Sequence, residues 1–294
     1  MVKLAIAPIG WTNDDMPELG GDITFEQCIS EMALAGYTGC EVGTKYPVHD
    51  RVLLKYMLDI RGISICNQWF SYEFSTKSFE EVKSNFINQI DFLSFFGAKI
   101  VGGAETGNSI HGIYDMPLSK RESASNEIWK RLTEGLNELG KISLNEYGIK
   151  LSYHHHAGTM IETKLEVDRL LNETDEKYVN LNYDCGHFYL AGEDPVKALK
   201  NYISRISHIH FKDVRQTINE KLHKENLSFL KAVKSGIFTV PGDGDLNMQE
   251  LSEVLHKSNY QGWLVVEAEQ DPSIANPYEY AKKGFDYLTK ELKF

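Results

Sequence analysis

Eight short apolar runs alternate along this chain with longer stretches of helical period, and that rhythm limits the folds open to it. The runs are "KLAIAPIGW", "GYTGCEVG", "ISICNQW", "AKIVGGAETG", "KLSYHHHAGT", "YVNLNYDCGH", "ISHIHFKD" and "WLVVEAE". Between them lie helical segments with recognisable ends. Thr24 with Gln27, and Ser78 with Glu81, make capping boxes, and Gly36 and Gly62 close the first two helices. Further helices are expected over residues 122–147, over 164–172, after Asp194 and Pro195, around "FLKAV", over 248–257 and over 278–290. Strands separated by helices form a parallel sheet, and eight such units close into an α/β (β/α)8 TIM barrel. The alternative, an open doubly wound sheet, brings a GxGxxG turn after its first strand, and "PIGWTNDD" lacks one.

The 294 residues fit one barrel domain spanning 1–294, with no linker or low-complexity segment. A hydrophobic content of 42% with 25% charged residues is that of a globular chain with a large core. The formal charge of −11 leaves no basic excess for nucleic acid and suits a neutral ligand or a carboxylate-held metal. Cys28, Cys40, Cys66 and Cys185 stand singly and read as reduced, buried thiols of a cytoplasmic protein. No apolar stretch approaches the ~18 residues of a membrane span.

In such a barrel the working side chains sit at the C-terminal ends of the strands. Here four consecutive tips carry histidine or acid: His154 and His156, Asp184 and His187, His208 and His210, Glu267 and Glu269. Alternation puts His154 and His156 on one face, with His155 on the other. The same rule pairs His208 with His210 and Glu267 with Glu269. A mixed imidazole and carboxylate set of this kind suits a divalent transition metal. Two imidazoles and two carboxylates would leave a divalent site neutral.

These tips resemble the xylose-isomerase-like metal barrels, a family that includes sugar epimerases, hydroxypyruvate isomerase and 3-dehydroshikimate dehydratase. The resemblance implies one metal ligand on each of strands five to eight, falling here on His154, Asp184 in "DCGH", His210 in "HIHFKD" and Glu267 in "GWLVVEAE". His154 stands where most members have glutamate. "GWTNDDMPELGG", "GYTGCEVG", "YHHHAGT", "HIHFKDVR", "FTVPGDGDL" and "VVEAEQDP" narrow the likeness to the branch that dehydrates a cyclic keto-polyol. That branch implies removal of water from 2-keto-myo-inositol (scyllo-inosose) to give a trihydroxycyclohexane-dione. It also implies cobalt or manganese, and glutathione; zinc would satisfy the same ligands.

The reaction needs a base beside the ketone and an acid for the departing β-hydroxyl. By analogy with the dehydroshikimate relative, His156 is the expected base. His187 is the expected acid or a contact to a substrate hydroxyl. Asn13, Glu41, Lys212, Arg215 and Glu269 are expected substrate contacts, with Asn67 and Gln68 as further polar candidates and Trp11, Trp69 and Trp263 as candidates for an apolar wall. Helix capping, loop hydrogen bonds and ion pairs to Asp213 or Glu269 are the competing roles for these groups. His49, His111, His223 and His256 are expected to be solvated, and "PGDGD" to be a turn nest near the rim. An isomerase or epimerase on the same barrel is the rival reading, although its usual strand-five glutamate is here His154. A repair endonuclease would need a basic groove, and a non-catalytic polyol binder would take up metal without turnover. Barrels of this kind often pair, so a homo-oligomer is compatible with the sequence.

Overall fold

The computed structural model describes residues 2–294. In chain order its strands are β1 (Lys3–Ile6), β2 (Gly39–Val42), β3 (Ser64–Ser71), β4 (Ile100–Ala104), β5 (Lys150–His154), β6 (Val179–Asp184), β7 (Ile206–Phe211), β8 (Asp213–Val214), β9 (Phe238–Thr239) and β10 (Trp263–Val266). Eight of them form a closed parallel barrel, with β10 sealing the ring between β7 and β1. Lys3 to Ile6 pair in register with Trp263 to Val266 across that seam. The short strands β8 and β9 pair antiparallel beyond the rim. The helices are α1 (Phe25–Ala35), α2 (Arg51–Asp59), α3 (Phe79–Phe95), α4 (Asn126–Ile142), α5 (Lys164–Glu173), α6 (Cys185–Leu190), α7 (Pro195–Tyr202), α8 (Gln216–Lys224), α9 (Phe229–Lys234), α10 (Met248–Lys257) and α11 (Pro277–Asp286).

Side-chain alternation sorts the sheet into two environments. Leu151 and Tyr153, Leu181 and Tyr183, Ile209 and Phe211, and Leu264 and Val266 join the apolar layer between strands and helices. Their neighbours Ser152 and His154, Asn182 and Asp184, and His208 and His210 are buried and polar. The barrel interior is therefore polar on the β5 to β7 side and apolar opposite, where Ala5, Ala7, Cys66 and Val265 cluster, while the layer around it supplies most of the hydrophobic stabilisation.

Local chemistry accounts for where the helices begin and end. Ser78 and Glu81 form the complete capping box expected for α3. At α1 only half of the expected box exists: Thr24 accepts from the Gln27 N–H, but the Gln27 amide turns to Glu31 instead. The helix expected from residue 122 begins at Asn126, because Ser125 accepts from the Ile128 N–H. Its end widens into a π-helical turn over Ser143–Tyr147, closed by Gly148 at φ 65°. Two helices were not legible in the sequence. α6 starts immediately after β6 because the Asp184 side chain caps it, and α8 precedes the expected "FLKAV" helix. Glu267 and Glu269, read as strand residues, lie just past the end of β10.

Candidate active site

The C-terminal ends of β5, β6, β7 and β10 bring four donor atoms together. His154 Nε2 lies 3.1 Å from His210 Nδ1 and 3.6 Å from Asp184 Oδ2. His210 Nδ1 lies 3.7 Å from Asp184 Oδ2 and 3.1 Å from Glu267 Oε2. Asp184 divides its oxygens: Oδ1 accepts from the His187 N–H as the cap of α6, and Oδ2 is buried with no hydrogen-bond partner. A buried carboxylate oxygen without a donor is costly. A tetrahedral ion with bonds of ~2.0–2.2 Å sets its ligands roughly 3.3–3.6 Å apart; the separations given, 3.1 to 3.7 Å, bracket that span, so a divalent ion would enter among these four groups with small side-chain shifts.

His210 is oriented from behind. Its Nε2 faces Glu41 Oε1 at 3.0 Å, and Glu41 Oε1 also accepts from His208 Nε2 at 2.8 Å and Asn67 Nδ2 at 3.0 Å. A carboxylate holding the outer nitrogen of an imidazole leaves the inner lone pair free for a metal. Burial alone would depress His210, yet the Glu267 and Glu41 carboxylates hold it well above an imidazole's ordinary value. His154 has no such support, because its Nδ1 is buried without a partner.

Lys212 sits in the middle of the acids. Its fully buried ammonium lies 2.8 Å from Glu267 Oε2, 2.9 Å from Glu269 Oε1 and 3.6 Å from Asp184 Oδ2. A side chain on Gly186 would put its Cβ 2.9 Å from Lys212 Cγ, so glycine there makes room for the lysine stem. Burial opposes a charged Lys212, but Asp184, Glu267 and Glu269 outweigh it and raise its pKa. In return, against the effect of burial, His210 and Lys212 draw Glu267 down to about 2. Glu269 goes the other way: burial pushes it up to about 7 despite its bond to Lys212.

The two expected proton-transfer histidines occupy different settings. His156 Nδ1 donates to the Ala157 carbonyl at 2.8 Å, which leaves its Nε2 lone pair without a protein partner. Burial first, and then His111, His154 and Lys212, keep the ring well below its ordinary pKa and therefore neutral. His187 is closed off. Its Nδ1 faces the Ala157 N–H at 3.3 Å and its Nε2 faces the Lys212 ammonium at 3.0 Å, with no exposed surface. It completes an alternative donor group with His154, Asp184 and Glu267, with both of its nitrogens facing protein N–H groups.

The cleft beside these groups is lined by Asp14, Asp15, Glu41, Trp69, His111, His156, Glu267 and Glu269 together with apolar residues of the β1 and β2 ends. Of the expected substrate contacts, Glu41 and Glu269 line it. Lys212 reaches the cluster from below. Arg215 does not: its guanidinium holds the Gly236 carbonyl at 2.6 Å and the Asp243 carboxylate at 2.7 Å, which ties β9 down. Asn13 does not line the cleft: its Oδ1 accepts from the Asp15 and Met16 N–H groups, and its Nδ2 is buried without a hydrogen-bond partner. Asn67 serves Glu41 and the Gly102 N–H, and the Gln68 carbonyl accepts from Gln89. Trp69 forms an apolar wall 5.4 Å from His154 and 5.9 Å from His156. Trp11 is buried, donating to Glu31, and Trp263 lies at the opposite mouth of the barrel. The "PGDGD" turn is a nest for an internal anion, since the N–H groups of Gly242, Gly244 and Leu246 all donate to Asp213. His111, expected in solvent, packs 5.2 Å from His156 and lines the cleft.

Residues 21–291 match the xylose isomerase-like TIM barrel family. Inosose dehydratase of Geobacillus thermodenitrificans (strain NG80-2) is 54% identical over 288 residues, covering 98% of this chain and 96% of the relative. The chain belongs to the inosose dehydratases of that family. Among solved structures it superposes on the probable 3-DHS dehydratase AsbF of Bacillus anthracis with a TM-score of 0.74 and 15% identity, covering 99% of this chain and 100% of that one. It superposes on the IolI protein with a bound zinc atom with a TM-score of 0.73 and 17% identity, covering 99% and 98%. At those identities the two structures speak for the barrel. The full-length relative at 54% speaks for the inosose dehydratase branch.

Proposed function

We propose that this inosose dehydratase removes water from 2-keto-myo-inositol through groups at the ends of β5, β6, β7 and β10. The observation that carries the mechanism is the open Nε2 of His156, in a cleft shared with Glu267 and Glu269. His154, Asp184, His210 and Glu267 would hold a divalent ion, which supplies positive charge where negative charge builds on the substrate oxygens. Manganese and cobalt suit this mixed donor set, and the zinc of the IolI structure makes zinc a third candidate.

His156 is neutral and fixed in one tautomer, so its Nε2 can take the proton from the ring carbon beside the ketone. Lys212 holds the carboxylates of Glu267 and Glu269 in place from inside the barrel. The departing hydroxyl needs a proton from a group that reaches the cleft. Glu269 does so and His187 does not, so we assign that step to Glu269. Trp69 closes one side of the cleft and sheds water from the reacting ring.

Epimerisation on such a barrel would call for a carboxylate on β5, where this chain has His154. Among the described residues no helix is long and apolar enough to cross a membrane, and the acidic cleft does not suit nucleic acid. All four cysteines are buried free thiols, which supports a reducing, cytoplasmic setting. The test is incubation of manganese-loaded protein with scyllo-inosose, following dione absorbance and the mass loss of one water. Interconversion of keto-sugars without loss of water would replace dehydration with isomerisation.

A further inference from the structure

We propose that His111 is a substrate-contacting residue whose Nε2 accepts a hydrogen bond from a ring hydroxyl of the polyol in the cleft served by His156. The inference rests on the cleft being the polyol site and adds a group that the sequence pattern placed in solvent.

The loop after β4 is held against the histidine loop by its backbone. The Ile110 N–H donates to the Gly158 carbonyl at 2.9 Å, and the Tyr114 carbonyl accepts from the Ser228 hydroxyl. Gly158 adopts φ +78°, and a Cβ there would come within 3.1 Å of both N and Cα of His111. Only glycine combines that left-handed backbone with so close an approach. The contact seats the His111 ring edge-to-face on His156, with centroids 5.2 Å apart and planes at 67°.

Hydrogen bonding then selects the tautomer. The Ser109 hydroxyl donates its only proton to the Thr106 carbonyl at 3.0 Å. With that proton on the carbonyl, its oxygen accepts from His111 Nδ1, 2.7 Å away, and this is the tautomer the proposal takes. Burial keeps the ring below its ordinary pKa, against the pull of Asp15. His111 thus offers the same arrangement as His156, with Nδ1–H anchored to the protein and Nε2 free of a protein partner. The surrounding groups define what it receives. Asp14, Asp15, Glu41, Glu267 and Glu269 line the same cleft and repel an anion, whereas an acceptor nitrogen beside an apolar Trp69 wall matches a neutral hydroxyl.

The test compares wild type with His111→Phe, which keeps the ring edge against His156 but removes the acceptor, and with His111→Gln, which restores one. Calorimetric Kd for scyllo-inosose and steady-state KM and kcat are read on manganese-loaded proteins of matched Tm. We expect His111→Phe to weaken Kd and raise KM about tenfold, the loss of one hydrogen bond, with kcat changed far less. His111→Gln should recover part of the loss. Across a set of monodeoxy analogues, one should cost the wild type a similar factor and cost His111→Phe nothing further. Unchanged Kd and KM in His111→Phe, with wild-type discrimination against every analogue, would overturn the inference. Wild-type protein that binds inosose without dehydrating it would sink the proposed reaction and leave the His111 contact standing.

Discussion

The two halves of the barrel rim carry different kinds of buried polar group. At the ends of β5, β6, β7 and β10 the polar atoms converge on one another and some have no hydrogen-bond partner, as at Asp184 Oδ2 and His154 Nδ1. At the ends of β1 to β4 the Glu41 carboxylate is engaged through one oxygen, Oε1, which serves Asn67, His208 and His210 together. The converging, partly unpartnered atoms around Asp184 suit an ion, whereas Glu41 holds His210 from behind and the β1 to β4 ends line the cleft. Function should therefore fail at once when the first half is altered and decline by degrees when the second is.

The largest expected effect is at Asp184. Asp184→Asn keeps the cap on α6 but removes a negative oxygen from the donor set, and kcat/KM for inosose should fall about 10³-fold or more, with metal lost on dialysis. His156→Gln should cost about 10²–10⁴-fold in kcat while elemental analysis finds the metal content unchanged. A loss of metal in His156→Gln would move His156 from proton transfer to ligation.

Across the barrel the effects should be smaller and different in kind. Glu41→Gln weakens the hold on His210 and should lower metal affinity about 10–100-fold, read by competition with a chelator. Gly103→Ala would drive a Cβ to within 1.8 Å of the Phe70 carbonyl of β3. Urea unfolding should show a loss of about 1–3 kcal/mol, with activity retained by the folded fraction. Arg215→Ala, which frees β9 without touching the cleft, should cost about 1–2 kcal/mol and leave kcat and KM unchanged. A kcat defect in Arg215→Ala would erase the boundary drawn here between site and support.

The barrel and the converging tips were legible because both rest on period: two along a strand, 3.6 along a helix. Period places His154, Asp184, His210 and Glu267 at corresponding heights on neighbouring strands. It does not say which atom of each faces inward, or that Lys212 lies among them, because that depends on the gap left by Gly186. His187, three residues after Asp184, is swung into the first turn of α6 by the very cap that Asp184 provides. Arg215 is captured by Asp243, which lies far away in sequence. His111 stands in a loop with no period at all, and its place follows from the Ile110–Gly158 bond and the φ of Gly158. Contacts between loops of distant sequence are what patterning cannot carry.

Anomalous diffraction at the manganese edge from soaked crystals tests the account most directly. The result expected is one peak per chain among His154 Nε2, Asp184 Oδ2, His210 Nδ1 and Glu267 Oε2, with Lys212 displaced toward Glu269. A peak at His156, His187 and Glu269 instead, or none at the rim at all, would contradict it.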